Sequence, residues 1–351
     1  MSDRLKTVLR RDGKRLAIAG ALEVVAVISR TGLVGKARGK GAIFTLHHVR
    51  PQGDRTFEAN RHLEVTPEFL EQAILQLRDD GYDFIPLTEI ADRLRTQDGK
   101  PFAAFTLDDG YRNNAEHALP IFERHGVPFT IFVTRGFAER THSLWWETLG
   151  QLLGRLSKVR FDFGNGIEDI DLSTGTLKLR AFDRFANMVT SEEEELAVSR
   201  IDALAREHDV DPLKITAELV MDTDELRRIA LHPLASLGAH TLSHRAVGRL
   251  TPDEAKAEMQ QSADWVEAST GRRPGSFAYP YGFPGAVTDR DMAIARELGF
   301  AVAVTTQPGT LHGGSAERMT GLPRISLNGY FQRPRYVSAL ASGIPFALSG
   351  R

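Results

Sequence analysis

Two adjacent aspartates, Asp108 and Asp109, followed by Gly110, close the apolar run 102–107. Two histidines four residues apart, His240 and His244, follow another apolar run at 234–238. Neighbouring carboxylates at the end of a buried strand repel one another, so one of them needs a cation or a raised pKa. Two imidazoles and one carboxylate form the donor set of a catalytic metal site, with positions left for water and substrate. Taken singly, neither motif decides the matter: a histidine pair at i, i+4 arises readily among 11 histidines, and Asp-Asp-Gly at a strand end is often a turn. The chain has no cysteine, which excludes disulfides, thiolate zinc sites and a cysteine nucleophile and leaves metal binding to His, Asp or Glu. Against 46 acidic residues stand 44 Lys and Arg, a formal net charge of −2, so no global field points to nucleic acid, and a small or neutral partner fits better.

The elements that must position these groups show in the rhythm of the chain. Short apolar runs at 43–46, 102–107, 128–134, 234–238, 276–278 and 300–304 each end at a polar cluster, with helical patterns between them. Thr66-Pro67-Glu68 offers an N-cap, a first-turn proline and a first-turn acid, with Gly81 able to end the helix; Thr251-Pro252-Asp253-Glu254 repeats the arrangement as a capping box ahead of Gly271. Residues 114–124 and 289–298 read as two more helices. Strands apolar on both faces and separated by helices imply a parallel sheet, open or closed into a barrel, and in both forms ligands bind at the carboxyl ends of the strands. No glycine-rich phosphate-binding pattern follows any strand.

With 351 residues, 42% apolar and 26% charged, the chain has the balance of an ordinary globular protein. Residues 1–40 read as an N-terminal helical extension and 41–351 as the α/β domain, interrupted at about 144–223 by a largely helical insertion. Within the insertion Glu192–Glu195 reads as a solvated helix face. Trp145-Trp146 at its start has two readings, core packing or a stacking platform for sugar rings at the site's rim. The apolar stretch 16–27 is interrupted by Glu23 and falls short of the roughly 20 residues of a bilayer span. It reads as an amphipathic helix packed on the domain or lying on a membrane surface, in a protein expected in the cytoplasm. Oligomeric state is not fixed by any of these features.

The block Thr106-Leu107-Asp108-Asp109-Gly110-Tyr111 resembles the Thr-Phe-Asp-Asp-Gly motif of the polysaccharide deacetylases, the NodB-homology group of metal-dependent carbohydrate esterases. His240-Thr241-Leu242-Ser243-His244 is similar to that family's His-Ser/Thr-x-x-His motif, and Phe277-Ala278-Tyr279-Pro280-Tyr281-Gly282 to its Phe-Arg-Pro-Pro-Tyr-Gly motif, in the family's order and within 41–135 and 222–330. The resemblance implies a distorted (β/α) barrel with the site at the carboxyl ends of the strands. It implies one divalent metal ion, zinc foremost with cobalt, nickel or manganese as options, held by Asp109, His240 and His244. It gives Asp108 as general base and the Tyr281 backbone N–H as a donor to the oxyanion.

Two departures stand out. The family's third-motif arginine falls on Ala278, and its aspartate partner in the fourth motif is also missing; Arg324 is the expected substitute cation. The family's Leu-x-His histidine corresponds to His312 of Thr310-Leu311-His312, the expected general acid. His47 falls in a segment similar to the Tyr-His-Arg-Val of one branch and is expected to line the site. Tyr281, His47, Arg324, Trp145 and Trp146 make up the expected substrate-facing set. The implied activity is removal of acetyl groups from N-acetylated sugars of an oligosaccharide, polysaccharide or glycan precursor. The rival readings are an amidohydrolase or deformylase on a non-sugar amide, and a non-catalytic carbohydrate-binding barrel.

Overall fold

The computed structural model of the protein describes residues 3–29, 35–53, 57–96 and 99–348. Eight strands form the main sheet: β1 Gly41–Leu46, β2 Asp83–Phe84, β3 Phe102–Leu107, β4 Phe129–Val133, β5 Ala235–Ala239, β6 Ser276–Ala278, β7 Val302–Val304 and β8 Ile325–Ser326. Their order is β7-β6-β5-β4-β3-β1-β8, with β2 paired to the first two residues of β3, and every pairing is parallel. The expected strands are all present. Missing from the expectation are β2 and β8, two-residue strands too short to show a period.

The sheet curls into a barrel whose seam is closed by irregular chain. Val304 bridges to Leu322, and the N–H groups of Thr305 and Arg324 donate to the carbonyls of Leu322 and Gln307 at 2.9 and 3.0 Å. Alternation along the strands divides the core in two. Ile43, Phe102, Ala104, Phe132, Ala278, Val302, Val304 and Leu322 cluster inside the barrel. Phe44, Leu46, Phe105, Leu107, Phe129 and Ile131 point outward and pack under the flanking helices. The floor of the site is therefore apolar.

The N-terminal helix α1 (Asp3–Ser29) docks through Leu22, Val25 and Ala26 onto Tyr336 and Ala339 near the end of the chain. Its Leu16, Val24 and Val27 remain exposed. Among the described residues no helix is long and apolar enough to cross a membrane.

Between β4 and β5 the chain leaves the barrel. Helix α2 (Trp145–Arg155) leads to an antiparallel hairpin, Lys158–Asp162 with Ile167–Asp171, then to helices Gly175–Ser191, α3 (Glu194–Glu207) and Pro212–Leu219. The hairpin departs from the helical expectation: Val159, Phe161 and Ile170 alternate with exposed polar residues, and the turn residues 163–166 reverse the chain between them. This segment has a core of its own, but that core runs without a break into barrel-loop residues Tyr111 and Phe137. It is packed onto the carboxyl ends of the strands.

Candidate active site

Asp108 and Asp109 follow β3 directly, and both are buried. Asp109 sits at φ +70°, a left-handed conformation uncommon for a residue with a side chain, and turns its carboxylate away from that of Asp108. His240 follows β5. Its loop is tightly held: Thr241 and His244 are also left-handed, at +61° and +62°, and the Thr241 hydroxyl accepts from the His244 N–H at 2.9 Å. From helix α4 (Pro252–Thr270), Glu258 accepts the N–H groups of Leu242 and Ser243 at 2.8 and 3.0 Å and the Ser243 hydroxyl at 2.6 Å. Four of the six left-handed non-glycine residues among those described lie in this site, which is where such strain is expected when function needs it.

These loops bring together one atom each from Asp109, His240 and His244, all within 4.8 Å of one another and all buried. Asp109 Oδ1 lies 3.6 Å from His240 Nε2 and 3.3 Å from His244 Nε2, approaches too loose to be hydrogen bonds, and it has no hydrogen-bond partner among the described residues. His240 Nδ1 lies 2.7 Å from the Ala278 carbonyl, so that nitrogen carries a proton and Nε2, which faces Asp109, is the one left to take a metal or a second proton. An orphaned buried carboxylate oxygen facing imidazole nitrogens is what a divalent cation would satisfy. The donor set fits a metal.

Burial, the largest influence, pushes the Asp109 carboxyl up, but the two imidazoles outweigh it and hold it well below the usual range. Burial likewise opposes the charged form of His240, and the Asp109 and Asp108 carboxylates reverse this, so its pKa is raised.

Asp108 is held differently. Arg324 grips it with two bonds, Nη1 to Oδ1 and Nη2 to Oδ2, both 2.7 Å. Arg324 is buried, donates from Nε to the Thr305 carbonyl at 2.9 Å and from Nη1 to the Thr106 hydroxyl at 3.1 Å, and so uses four of its five N–H donors. Ile325 pairs with Phe44, so Arg324 starts below the strand ends and reaches Asp108 by its length. Burial pushes the Asp108 carboxyl up, and the Arg324 charge and bonds bring it below its ordinary value.

His47, one residue past β1, is half-buried and within electrostatic range of both aspartates; burial lowers its pKa, while the two carboxylates raise it less than burial lowers it. Its carbonyl accepts from Asn114 Nδ2 at 2.7 Å.

Tyr281 occupies a γ-turn at φ +62°, closed by the Gly282 N–H donating to the Pro280 carbonyl at 2.7 Å. Only glycine fits next, because Gly282 is also left-handed and a Cβ there would lie 2.4 Å from the Thr306 nitrogen. The Tyr281 N–H makes no hydrogen bond among the described residues.

Three expectations need correction. His312 is exposed and N-caps a short helical turn, and its neighbour Leu311 bridges Gly41, the first residue of β1. That puts His312 at the amino end of the barrel, a full strand length from Asp108, and rules it out as the acid. The chain after β7 runs back down the seam before β8, which no local pattern announces. The tryptophan pair is a packed wall of the cavity it shares with His244 and Tyr281 rather than an exposed rim platform: Trp145 and Trp146 are 7% and 6% exposed, and their N–H groups donate to the hydroxyls of Tyr281 at 3.0 Å and Tyr111 at 2.9 Å. The Trp146 ring also backs His244 at 5.0 Å. Finally, Glu192–Glu195 is not uniformly solvated. Glu194 is buried, accepting the Tyr281 hydroxyl at 2.8 Å and the Ala246 N–H at 3.0 Å.

Sequence reasoning missed Glu258, Glu194 and the buried His48. His48 stacks on Tyr111 at 3.5 Å, and its Nδ1 meets Asn113 Nδ2 at 2.7 Å. Asn113 and His48 carried a signal, their closeness in sequence to Asp109 and His47. Glu258 and Glu194 meet the site only through folding.

The fold and site together are those of a curled parallel α/β barrel with a candidate Asp-His-His metal site at its strand ends. The polysaccharide deacetylase family model matches residues 95–165 and 196–303, together just over half the chain, and the chain belongs to that family. It is 20% identical over 257 residues to YxkH of Bacillus subtilis, which carries the polysaccharide deacetylase name; the alignment covers 72% of this chain and 63% of that relative's length. Among solved structures, the Streptococcus pyogenes deacetylase PplD, in complex with acetate, superposes with a TM-score of 0.54 at 18% identity, over 83% of this chain and 93% of PplD. IcaB from Ammonifex degensii superposes at 0.51 and 17% identity, over 86% and 98%. At these identities the likeness establishes the shared barrel fold.

Proposed function

We propose that the protein is a metal-dependent hydrolase that removes acetyl groups from N-acetylated sugars of an oligosaccharide, polysaccharide or glycan precursor, and that it works in the cytoplasm. The observation that carries the reading is the division between two adjacent carboxylates: Asp109 is turned to two imidazoles, and Asp108 is clamped by Arg324. Asp109, His240 and His244 would hold one divalent ion, zinc foremost. Such an ion lowers the pKa of bound water and polarises an acyl carbonyl. Asp108, kept ionised and fixed in orientation by Arg324, takes the proton of the attacking water as it adds to the acetyl carbon. The Tyr281 N–H donates to the oxygen that becomes negative. The proton taken up by Asp108 passes to the departing sugar nitrogen as the C–N bond breaks, giving acetate and a free amine and returning Asp108 to its carboxylate, while His47 lines the site beside the two aspartates. PplD and IcaB share the barrel on which this chemistry is proposed to run.

The test joins two measurements on the purified protein: elemental analysis, and acetate release from N-acetylglucosamine oligosaccharides. About one transition metal per chain with acetate release supports the reading. Metal without acetate release, but with hydrolysis of cyclic or formyl amides, would move the substrate to the non-sugar class. Glycan binding with no turnover after metal loading would reduce the protein to a binder.

A further inference from the structure

The insertion reaches into the site at one point where a charged group meets a strained turn of the barrel. Glu194 is the first residue of α3, and its carboxylate spans two barrel loops. Oε1 accepts from the Tyr281 hydroxyl at 2.8 Å, and Oε2 accepts from the Ala246 N–H, two residues beyond His244, at 3.0 Å. A second contact from the insertion completes the hold: Trp145 Nε1 donates to the same tyrosine oxygen at 3.0 Å. The hydroxyl is thus both donor and acceptor and is fixed in both senses. The Tyr281 ring stands edge-on to His244 at 5.2 Å.

The γ-turn that holds Tyr281 is unfavourable for a residue with a Cβ and persists only if its surroundings over-determine it. Within the barrel, the turn is held by the Gly282 N–H donating to the Pro280 carbonyl at 2.7 Å, the Thr306 hydroxyl to the Tyr281 carbonyl at 2.5 Å and the Thr306 N–H to the Gly282 carbonyl at 3.1 Å. Those fix the backbone of the turn but leave the tyrosine side chain free to drag it. Glu194 and Trp145 remove that freedom.

We propose that Glu194 is a positioning residue: through the Tyr281 side chain it sets the direction of the Tyr281 backbone N–H, making the insertion a working part of the site. The inference rests on the hydrolase reading above. It predicts that the insertion influences rate more than affinity, because the N–H serves charge that appears only in the transition state.

The experiment compares wild type, Glu194→Ala, Glu194→Gln, Tyr281→Phe and Glu194→Ala/Tyr281→Phe, each assayed for metal content and for kcat and KM of acetate release. A mis-set donor costs on the order of a hundredfold in rate, so Glu194→Ala is expected to lose about that in kcat with KM within about threefold. Metal content stays unchanged, since His240 and His244 keep their own brace. Glu194→Gln retains an oxygen for the tyrosine hydroxyl but turns its amide nitrogen to the Ala246 N–H, and recovers part of the rate. Tyr281→Phe cuts the same tether without touching Ala246, and the double variant is no slower than the worse single one. Full kcat in both Glu194→Ala and Tyr281→Phe, or strictly additive losses, overturns the proposal. If the wild type releases no acetate, the functional reading has failed, and hydrogen exchange over 279–284 decides the tether alone. Faster exchange in Tyr281→Phe supports it; unchanged exchange overturns it. Tyr281→Phe and Glu194→Gln also carry the test if Glu194→Ala does not fold.

Discussion

Glu258 and Glu194 do comparable work from different parts of the chain. Glu258 lies on α4, a helix of the barrel, and ties down the loop between His240 and His244 with three hydrogen bonds. Glu194 lies on α3, in the insertion, and ties down the Tyr281 turn. The barrel braces what would bind the metal, and the insertion braces what would meet developing charge. Barrel changes should therefore show first in metal content, and insertion changes in turnover.

The barrel side is the more severe to break. His240→Ala removes a donor from a three-residue cluster and opens a cavity beside an already orphaned Asp109 oxygen. Metal content should fall from about one per chain to near zero. The rate should fall at least about a thousandfold, because Lewis-acid stabilisation is worth several kcal/mol and each 1.36 kcal/mol is a factor of ten. Full metal content in this variant would place the ion elsewhere and undo the comparison.

Arg324→Ala strikes the other carboxylate. Asp108 and Arg324 are both buried, and removing one partner leaves the other uncompensated, at a cost of roughly 3–5 kcal/mol of stability. A urea unfolding curve measures this. Arg324→Met with Asp108→Asn removes both charges and should recover most of the stability but none of the activity. If the double variant is as unstable as the single, the pair is not the cause of the loss.

Glu258→Ala gives the intermediate case. The ligands stay in place but their loop loses three bonds, and the loss of such outer partners weakens metal binding by about 10- to 100-fold. Titration with a competing chelator would show it, and excess metal should restore the rate. In Glu194→Ala excess metal should restore nothing. A chelator curve identical to wild type would show that α4 plays no part in metal affinity.

How much of this was legible follows from chain direction. Asp108, Asp109, His240 and His244 stand immediately after apolar strands in a β/α rhythm, and a parallel sheet delivers every strand's carboxyl end to the same rim. Adjacency in sequence was enough to place them. Arg324 was reachable through the family resemblance, which puts Ala278 where the motif arginine would stand and so asks for another cation. His312 misled because its Leu-x-His pattern is sound locally, while the end of the barrel it occupies depends on the descent of residues 305–324 along the seam. Glu194 was hidden within an acidic run: Glu193 and Glu195 are exposed and Glu192 half-buried, and only its contacts with Tyr281 and Ala246 distinguish Glu194. The hairpin at 158–171 escaped because short alternation inside a polar segment competes with helical patterning.

The smallest effect is expected farthest from the site, where α1 joins the barrel through Glu23. That carboxylate accepts from Arg335 and Arg333 and from the Tyr336 hydroxyl at 2.6 to 2.7 Å, and chiefly the Arg335 and Tyr336 bonds hold its pKa down at about 2. A carboxyl depressed in the folded state stabilises above its unfolded value, and the contribution fades as pH falls through that value toward the folded one. The docking of α1 should thus be full at pH 6 and weakened at pH 3. The contact is exposed and screened, so the loss should be local and leave global unfolding almost unmoved. Hydrogen exchange of α1, taken relative to β3 to cancel the intrinsic pH dependence, measures it. Glu23→Gln should show the weakened ratio already at pH 6 and little further change at pH 3. An equal ratio at both pH values in wild type would mean that Leu22, Val25 and Ala26 alone seat the helix.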